Sequence, residues 1–261
     1  MRLGEVGWPT TLGGYEIDIL VQGYPGKSVH NGGLGWSTVT LLRGHGRVIL
    51  LDTGGFGLRA ALKQRLGALG LACDDVTDVL LSHSHWDHIV NYPLFPRARL
   101  HIGQQDLEWA ISGDESVYAV AEFYAQQLAR EPRLTYLEIG KEAFPSIRTE
   151  HAPGHTPGHL LFVLVGEDRD LIFAQDAAKS RAELVSLTTD LTIDHAQSRA
   201  TLENIWTLWK ARDGTIVVPG HDLPLILEGG AVKTLGERQA AIVGFLGDSL
   251  EEQTHFSLSV R

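Results

Sequence analysis

Three histidines and an aspartate fall within six consecutive residues, His83-Ser84-His85-Trp86-Asp87-His88. Imidazole nitrogen and carboxylate oxygen together suit a divalent ion such as Zn, Fe, Mn or Co. In an extended or loop backbone, side chains two residues apart point the same way. His83 and His85 can therefore grip one ion together, and Asp87 and His88, just beyond, can turn toward a second. The alternative is a loop of solvated or internally satisfied histidines. So dense a cluster at the end of an apolar run argues against it.

Three further segments carry candidate ligands. Gly154-His155-Thr156-Pro157-Gly158-His159 reads as a tight turn, whose Gly and Pro can hold one histidine at a strand end. Asp176 follows the apolar run Leu171-Ile172-Phe173-Ala174, and His221 follows Thr215-Ile216-Val217-Val218. Taken singly, each has a plainer reading: exposed turn histidines, a capping or turn aspartate, a satisfied structural histidine. Beside the first cluster they become suppliers of further ligands.

These residues need elements to position them. Apolar patterning predicts strands over Tyr15–Val21, Thr38–Leu42, Arg47–Leu51, Asp78–Ser82 and Thr215–Val218, and near 134–138, 147–151, 160–165 and 171–174. Helices are expected over Leu58–Leu69, closed by Gly70, over 104–130, and from about Asp194 to Arg212, with Thr192 or Asp194 as N-cap. The region after Gly230 also reads as helical. Asn31-Gly32-Gly33-Leu34-Gly35 reads as a flexible turn or a loop over a site. Strands alternate with helices, hairpin-like pairs recur, and no linker divides the chain. The expectation is a mixed α/β layered fold in one domain, 1–261.

Composition narrows the partners. The formal net charge is −10, which opposes a sequence-independent hold on nucleic acid. Cys73 is the only cysteine, so no intramolecular disulfide can form, and it lies outside every motif. Met1–Thr10 lacks an apolar signal region, and no run approaches the ~20 apolar residues that span a bilayer. The reading is a cytoplasmic protein with a small-molecule substrate, no nucleic acid and no membrane partner. A homodimer is favoured on general grounds.

The four ligand-bearing segments, with Leu51-Asp52-Thr53-Gly54, resemble the metallo-β-lactamase superfamily, in that family's order and over about residues 30 to 225. The resemblance implies a four-layer αβ/βα sandwich with the site at one edge between two sheets. It implies two divalent metal ions, Zn2+ foremost, with Fe, Mn or Co as alternatives. His83, His85 and His155 would hold one; Asp87, His88 and His221 the other; Asp176 would bridge both. His159 and Asp52 match residues that support the site without binding metal, although Asp52 reads equally well as a turn aspartate. Two ions ~3.5–4 Å apart share a water, lower its pKa toward ~7 and polarise the scissile bond. Asp87 or Asp176 would pass a proton to the leaving group.

Within the superfamily the chain is similar to the small lactonase branch, including N-acyl homoserine lactone and pyridoxolactone hydrolases. Its length, layout, seven-ligand set and Pro219-Gly220-His221-Asp222 ending carry that likeness. The implied activity is hydrolytic opening of a lactone ring. Some acyl homoserine lactonases place a catalytic tyrosine three residues after the bridging aspartate. Here that position is Lys179, which would hold an anionic group or an oxyanion, or else is a solvated lysine. Trp86 and the aromatics Trp109, Tyr118, Phe123 and Tyr124 either line the pocket or pack structurally. Alternatives are a thioester hydrolase of glyoxalase II type, another ester or phosphoester hydrolase, a mononuclear iron persulfide dioxygenase, or a ligand-binding non-enzyme. A glyoxalase II would carry a further helical domain with basic contacts, for which the tail after Gly230 is short and poor in Lys and Arg.

Overall fold

The computed structural model describes residues 11–30, 32–112 and 119–259. Two seven-stranded sheets dominate it. The N-terminal sheet runs, in spatial order, Thr11–Leu12, Tyr15–Val21, Val39–Gly44, Arg47–Leu51, Asp78–Leu80, Arg99–Gly103 and Leu134–Leu137. The C-terminal sheet runs Glu142–Phe144, Ile147–His151, Leu160–Val165, Asp170–Gln175, Ile216–Pro219, Leu225–Glu228 and Ala231–Thr234. Arg47–Leu51, Asp78–Leu80, Arg99–Gly103 and Leu134–Leu137 pair in parallel, as do Asp170–Gln175 and Ile216–Pro219. Parallel neighbours need a crossover. Helices supply it: Arg59–Ala68, then Gln104–Ile111 and Glu122–Leu128, and in the second half Arg181–Ser186 and His195–Lys210.

The two-residue period of a strand builds the layers. Leu42, Ile49, Leu51 and Leu80 face Phe162, Leu164, Phe173, Ile216 and Val218 in the core between the sheets. Their neighbours Leu41, Leu50, Val79 and Leu100 point the other way, against Leu62, Leu66, Leu107 and Leu128 of the first helices. On the far side Leu161, Val163, Ile172 and Val217 meet Leu184, Leu202, Ile205 and Trp209. Helix, sheet, sheet, helix is the expected four-layer αβ/βα arrangement. Each fully buried side chain of this size contributes roughly 1.5–3 kcal/mol, so a one-residue slip of register would be costly in every layer.

The predicted strands occur close to their expected bounds, and Asp194 caps its helix by accepting from the N–H groups of Ala196 and Gln197. Thr192 bonds the Ser198 hydroxyl instead. Two expectations need correction. The 104–130 stretch is not one helix: between its two helices Ala119 accepts from the Trp86 N–H at 2.8 Å and Val120 bridges to His85. There the chain crosses the His83–His88 loop in extended form; Tyr118 lies outside the described residues. The region after Gly230 is strand, not helix: Ala231–Thr234, Ala241–Phe245 and Gln253–Ser257. Gly229 and Gly230 both take positive φ, 58° and 80°, as a tight hairpin turn requires, and Ala241-Ile242-Val243-Gly244-Phe245 is rich in strand formers. Asn31 also lies outside the described residues, while Lys27–Ser28 and Gly32–Gly33 form a short hairpin around it. No helix among the described residues is long and apolar enough to cross a membrane.

Candidate metal centre

The parallel strands aim their carboxyl ends at one edge of the sandwich. Arg47–Leu51 leads into Asp52, Asp78–Leu80 into His83–His88, Asp170–Gln175 into Asp176, and Ile216–Pro219 into His221. The turn after Ile147–His151 brings His155 to the same edge. All seven expected ligand residues therefore converge, from both sheets.

Ring orientation follows from hydrogen bonds made on the side away from the centre. His83 Nδ1 lies 2.9 Å from Ser82 Oγ, His88 Nδ1 2.7 Å from Asp52 Oδ2, and His155 Nδ1 2.9 Å from the Leu191 carbonyl. Each Nε2 is thus turned inward. His155 Nε2 sits 2.9 Å from His85 Nδ1, and the ligand atoms of His83, His85 and His155 all lie within 4.8 Å of one another. Asp87, His88 and His221 form a second such group, and His83, His88 and Asp176 a third that overlaps both sides.

Asp176 straddles the two sides. Its Oδ2 is 3.3 Å from His155 Nε2, while its Oδ1 is 3.3 Å from His88 Nε2 and 3.2 Å from His221 Nε2. Asp87 Oδ2 lies 3.4 Å from His221 Nε2 and 3.7 Å from His88 Nε2. His83 Nε2, His88 Nε2 and Asp176 Oδ1 are buried without a hydrogen-bond partner. A buried polar atom left unpaired costs about 1–3 kcal/mol. Divalent cations between these atoms would satisfy all three, and the nitrogen and oxygen donors suit them.

The electrostatics divide the centre in two. Burial, with the neighbouring positive charges, holds His83 and His155 well below the ordinary imidazole value. His85 is pushed down to about 3, chiefly by burial. These three are neutral imidazoles, the form that binds metal. On the other side burial is outweighed by carboxylates: Asp87, Asp176 and Asp52 raise His88 well above its ordinary value, and Asp176 raises His221. Burial opposes ionisation of Asp176, yet His221 and His88 hold it well below the usual carboxylate range. That half of the centre favours positive charge, whether carried by protons or by a metal.

Supporting residues were only partly visible in the sequence. Asp52 sits at φ 56° and accepts from His88, from the Ser82 N–H and hydroxyl at 2.8 Å each, and from Gln175 Nε2. It is a turn residue that also orients a candidate ligand. Gly220 is required because a Cβ there would lie 2.1 Å from Asp176 Oδ1. His159 is fully buried, with its ring 4.7 Å from that of His83. Asp106, Gln175, Glu183 and the Leu191 carbonyl were missed; none belongs to a motif, and Asp106 reads as an ordinary first-turn acid.

Lys179 is not a solvated surface residue: its side chain is 14% exposed, and its ammonium lies 3.1 Å from Glu183 Oε1. Its charge helps depress His155 and His85. Trp86 packs on Gly55 and stays 39% exposed. Trp109 stands edge-on to His85 at 6.0 Å. Tyr124 packs against Phe56, and Phe123 is exposed.

Comparison with known proteins agrees with this geometry. A family model described as the metallo-beta-lactamase superfamily matches residues 32–221. Metallo-beta-lactamase domain-containing protein 1 of Rattus norvegicus is 26% identical over 263 residues, covering 88% of this chain and 94% of the relative. Its Mus musculus counterpart is 52% identical over 52 residues, 20% of either chain. An N-acyl homoserine lactonase of Bacillus thuringiensis is 24% identical over 220 residues, 83% of this chain and 81% of the relative. Among solved structures, a variant of B. thuringiensis AiiA with N-decanoyl-L-homoserine at its active site superposes with a TM-score of 0.64 at 17% identity, covering 81% of this chain and 94% of that one. The dizinc quorum-quenching lactonase AidC gives 0.63 at 18% identity, with 87% and 92% covered. At those identities the superpositions speak for the fold alone. With the family model spanning most of the sequence, over a sandwich of the same fold and a histidine–aspartate cluster able to bind metal, the chain belongs to the metallo-beta-lactamase superfamily.

Proposed function

We propose that this hydrolase works with two divalent ions, Zn2+ foremost, and opens a lactone or a similar cyclic ester. The observation that carries the dinuclear reading is the division of Asp176, one oxygen toward His155 and the other toward His88 and His221. One carboxylate between two ligand groups is the arrangement of a bridge. When bound, the ions supply a water of lowered pKa and a Lewis acid for the scissile carbonyl.

The protein's own residues do the rest. Neutral His83, His85 and His155 hold one side; Asp87, His88 and His221 hold the other. Asp176 stays ionised, which suits a bridge and leaves proton transfer to Asp87. Asp87, buried beside His88 and His221, can carry a proton to the leaving alkoxide. Lys179, steadied by Glu183, offers a cation to a substrate oxygen or carboxylate. The likeness to N-acyl homoserine lactonases over most of the chain supports a lactone over other acyl substrates. The net charge of −10 supports a small-molecule substrate rather than nucleic acid.

The test is metal analysis of the purified protein with a panel of γ-lactones, linear esters, thioesters and phosphodiesters. Two equivalents of metal and a preference for lactones are expected. Exchange Asp176→Asn should lower kcat/KM by at least ~100-fold, since even residues that only support ligands cost 10–100-fold. Full activity in that variant would end the bridging role. A metal-replete protein that cleaves only thioesters or phosphodiesters would move the substrate and keep the centre.

A further inference from the structure

One buried carboxylate outside the ligand set touches both chain segments that supply the three-histidine group. Asp106 lies at the start of helix Gln104–Ile111 and is fully buried. Its Oδ1 accepts from the Ser84 N–H at 2.7 Å and from the Ser84 hydroxyl at 2.6 Å. Its Oδ2 accepts from the Thr156 hydroxyl, and the Gly158 N–H donates to the same carboxylate. Ser84 stands between His83 and His85; Thr156 follows His155.

The contacts are built rather than incidental. Gly158 runs so close to the helix start that a Cβ there would lie 2.2 Å from the Asp106 nitrogen. No helix or strand is shared between the His83–His88 loop and the Gly154–His159 turn. The loop leaves the N-terminal sheet and the turn enters the C-terminal one. Through this clamp Asp106 ties the segment bearing His85 to the one bearing His155, beside the direct bond from the Leu160 N–H to the Ser82 carbonyl at 3.0 Å. Asp87, His88 and His221 receive no hydrogen bond from it; His88 is oriented by Asp52, which Gln175 holds in turn. Charged hydrogen bonds contribute about 1.5–3 kcal/mol each and hold geometry tightly.

We infer that Asp106 is a positioning residue that sets the metal affinity of the His83–His85–His155 group selectively, leaving the Asp87–His88–His221 group to other supports. The inference rests on the proposed metal centre, and the experiment separates the two. Metal-free protein is titrated with Co2+, followed by its visible absorption and by chelator competition. The band lost in His85→Ala marks the three-histidine group. In Asp106→Asn that group's affinity should fall roughly 10–100-fold, the cost of losing a ligand's supporting partner, while the other group's stays within about threefold. Thr156→Val, which keeps the carboxylate and removes one donor, should shift the same step in the same direction by less, and serves if Asp106→Asn folds poorly. Equal losses at both groups would overturn the inference. So would unchanged affinities with only a lower melting temperature, the mark of a plain structural clamp. Failure of the unmodified protein to bind Co2+ would instead overturn the metal centre itself.

Discussion

At the scale of single residues, the centre is a set of histidines kept neutral by burial next to others whose proton affinity is raised by acids. His159 isolates the first effect, because it is fully buried, stands outside the ligand set, and is pushed down to about 3, chiefly by burial. Unfolded, it would take up a proton near its ordinary value of 6.5; folded, it would not until about pH 3. The unfolded state therefore binds more protons across that window, and stability contributed by this residue falls as pH drops from about 6.5 toward 3. One such group contributes a slope of up to ~1.4 kcal/mol per pH unit. In metal-free protein, His159→Asn should flatten the fall in unfolding free energy between pH 7 and 5 by up to about that slope. Urea denaturation at a series of pH values measures it, and an unaltered slope would mean that His159 titrates normally. The candidate ligand residues were legible in the sequence because three histidines and an aspartate fall within six residues, beside which His155, Asp176 and His221 gain a use that none has alone. Asp106 and Glu183 were not, since one acid in a helix's first turn looks like any other until the fold shows which donors surround it.

At the scale of elements, strand ends decide where chemistry sits, and the turn after each strand decides whether the side chain can reach. Pro219-Gly220-His221 illustrates the constraint. A Cβ on Gly220 would stand 2.1 Å from Asp176 Oδ1, a candidate ligand atom that could make room only by leaving its place, and 2.8 Å from the Gln175 carbonyl carbon, which is backbone. Gly220→Ala should thus displace Asp176, with metal content falling below two equivalents and activity falling by at least ~100-fold, since at least one ligand is moved. Gly57→Ala, where an added Cβ meets nothing within 4 Å, is the control and should shift stability by less than about 1 kcal/mol. Metal analysis with circular dichroism checks both; normal metal content in Gly220→Ala would show that the turn has room to yield. The same scale explains the two misread regions. The break in 104–130 has a local signal in Ser112-Gly113-Asp114, while the contact of Ala119 and Val120 with Trp86 and His85 is tertiary and no local propensity encodes it. In the closing hairpin, Ile242, Val243, Phe245 and Phe256 are substantially exposed, so no buried face imposes the alternation by which a strand is recognised.

At the scale of the whole molecule, the candidate ligands come from two halves that are also joined by sheet packing and by hydrogen bonds such as those of Asp106 and Gln175. His83, His85, Asp87 and His88 extend from the N-terminal sheet, and His155, Asp176 and His221 from the C-terminal one. A metal bound to the folded state alone stabilises it by RT ln(1 + [L]/Kd), about 4 kcal/mol at a thousandfold excess over Kd. A chain of this size gains roughly 2–4 °C in Tm per kcal/mol. Removing metal should therefore lower Tm by on the order of 10 °C or more, and by calorimetry the shift should depend on free metal concentration. Asp176→Asn, which takes away the one side chain shared by both groups, should shrink that shift, and its own Tm without metal should lie below that of the metal-free parent, because His88 and His221 lose their buried carboxylate partner. The metal-dependent part of stability would then reside in the link between the sheets. An unchanged Tm after chelation, with analysis confirming that the metal had gone, would mean that the sandwich closes independently of its centre and that sheet packing and hydrogen bonds such as those of Asp106 bring the candidate ligands together without metal.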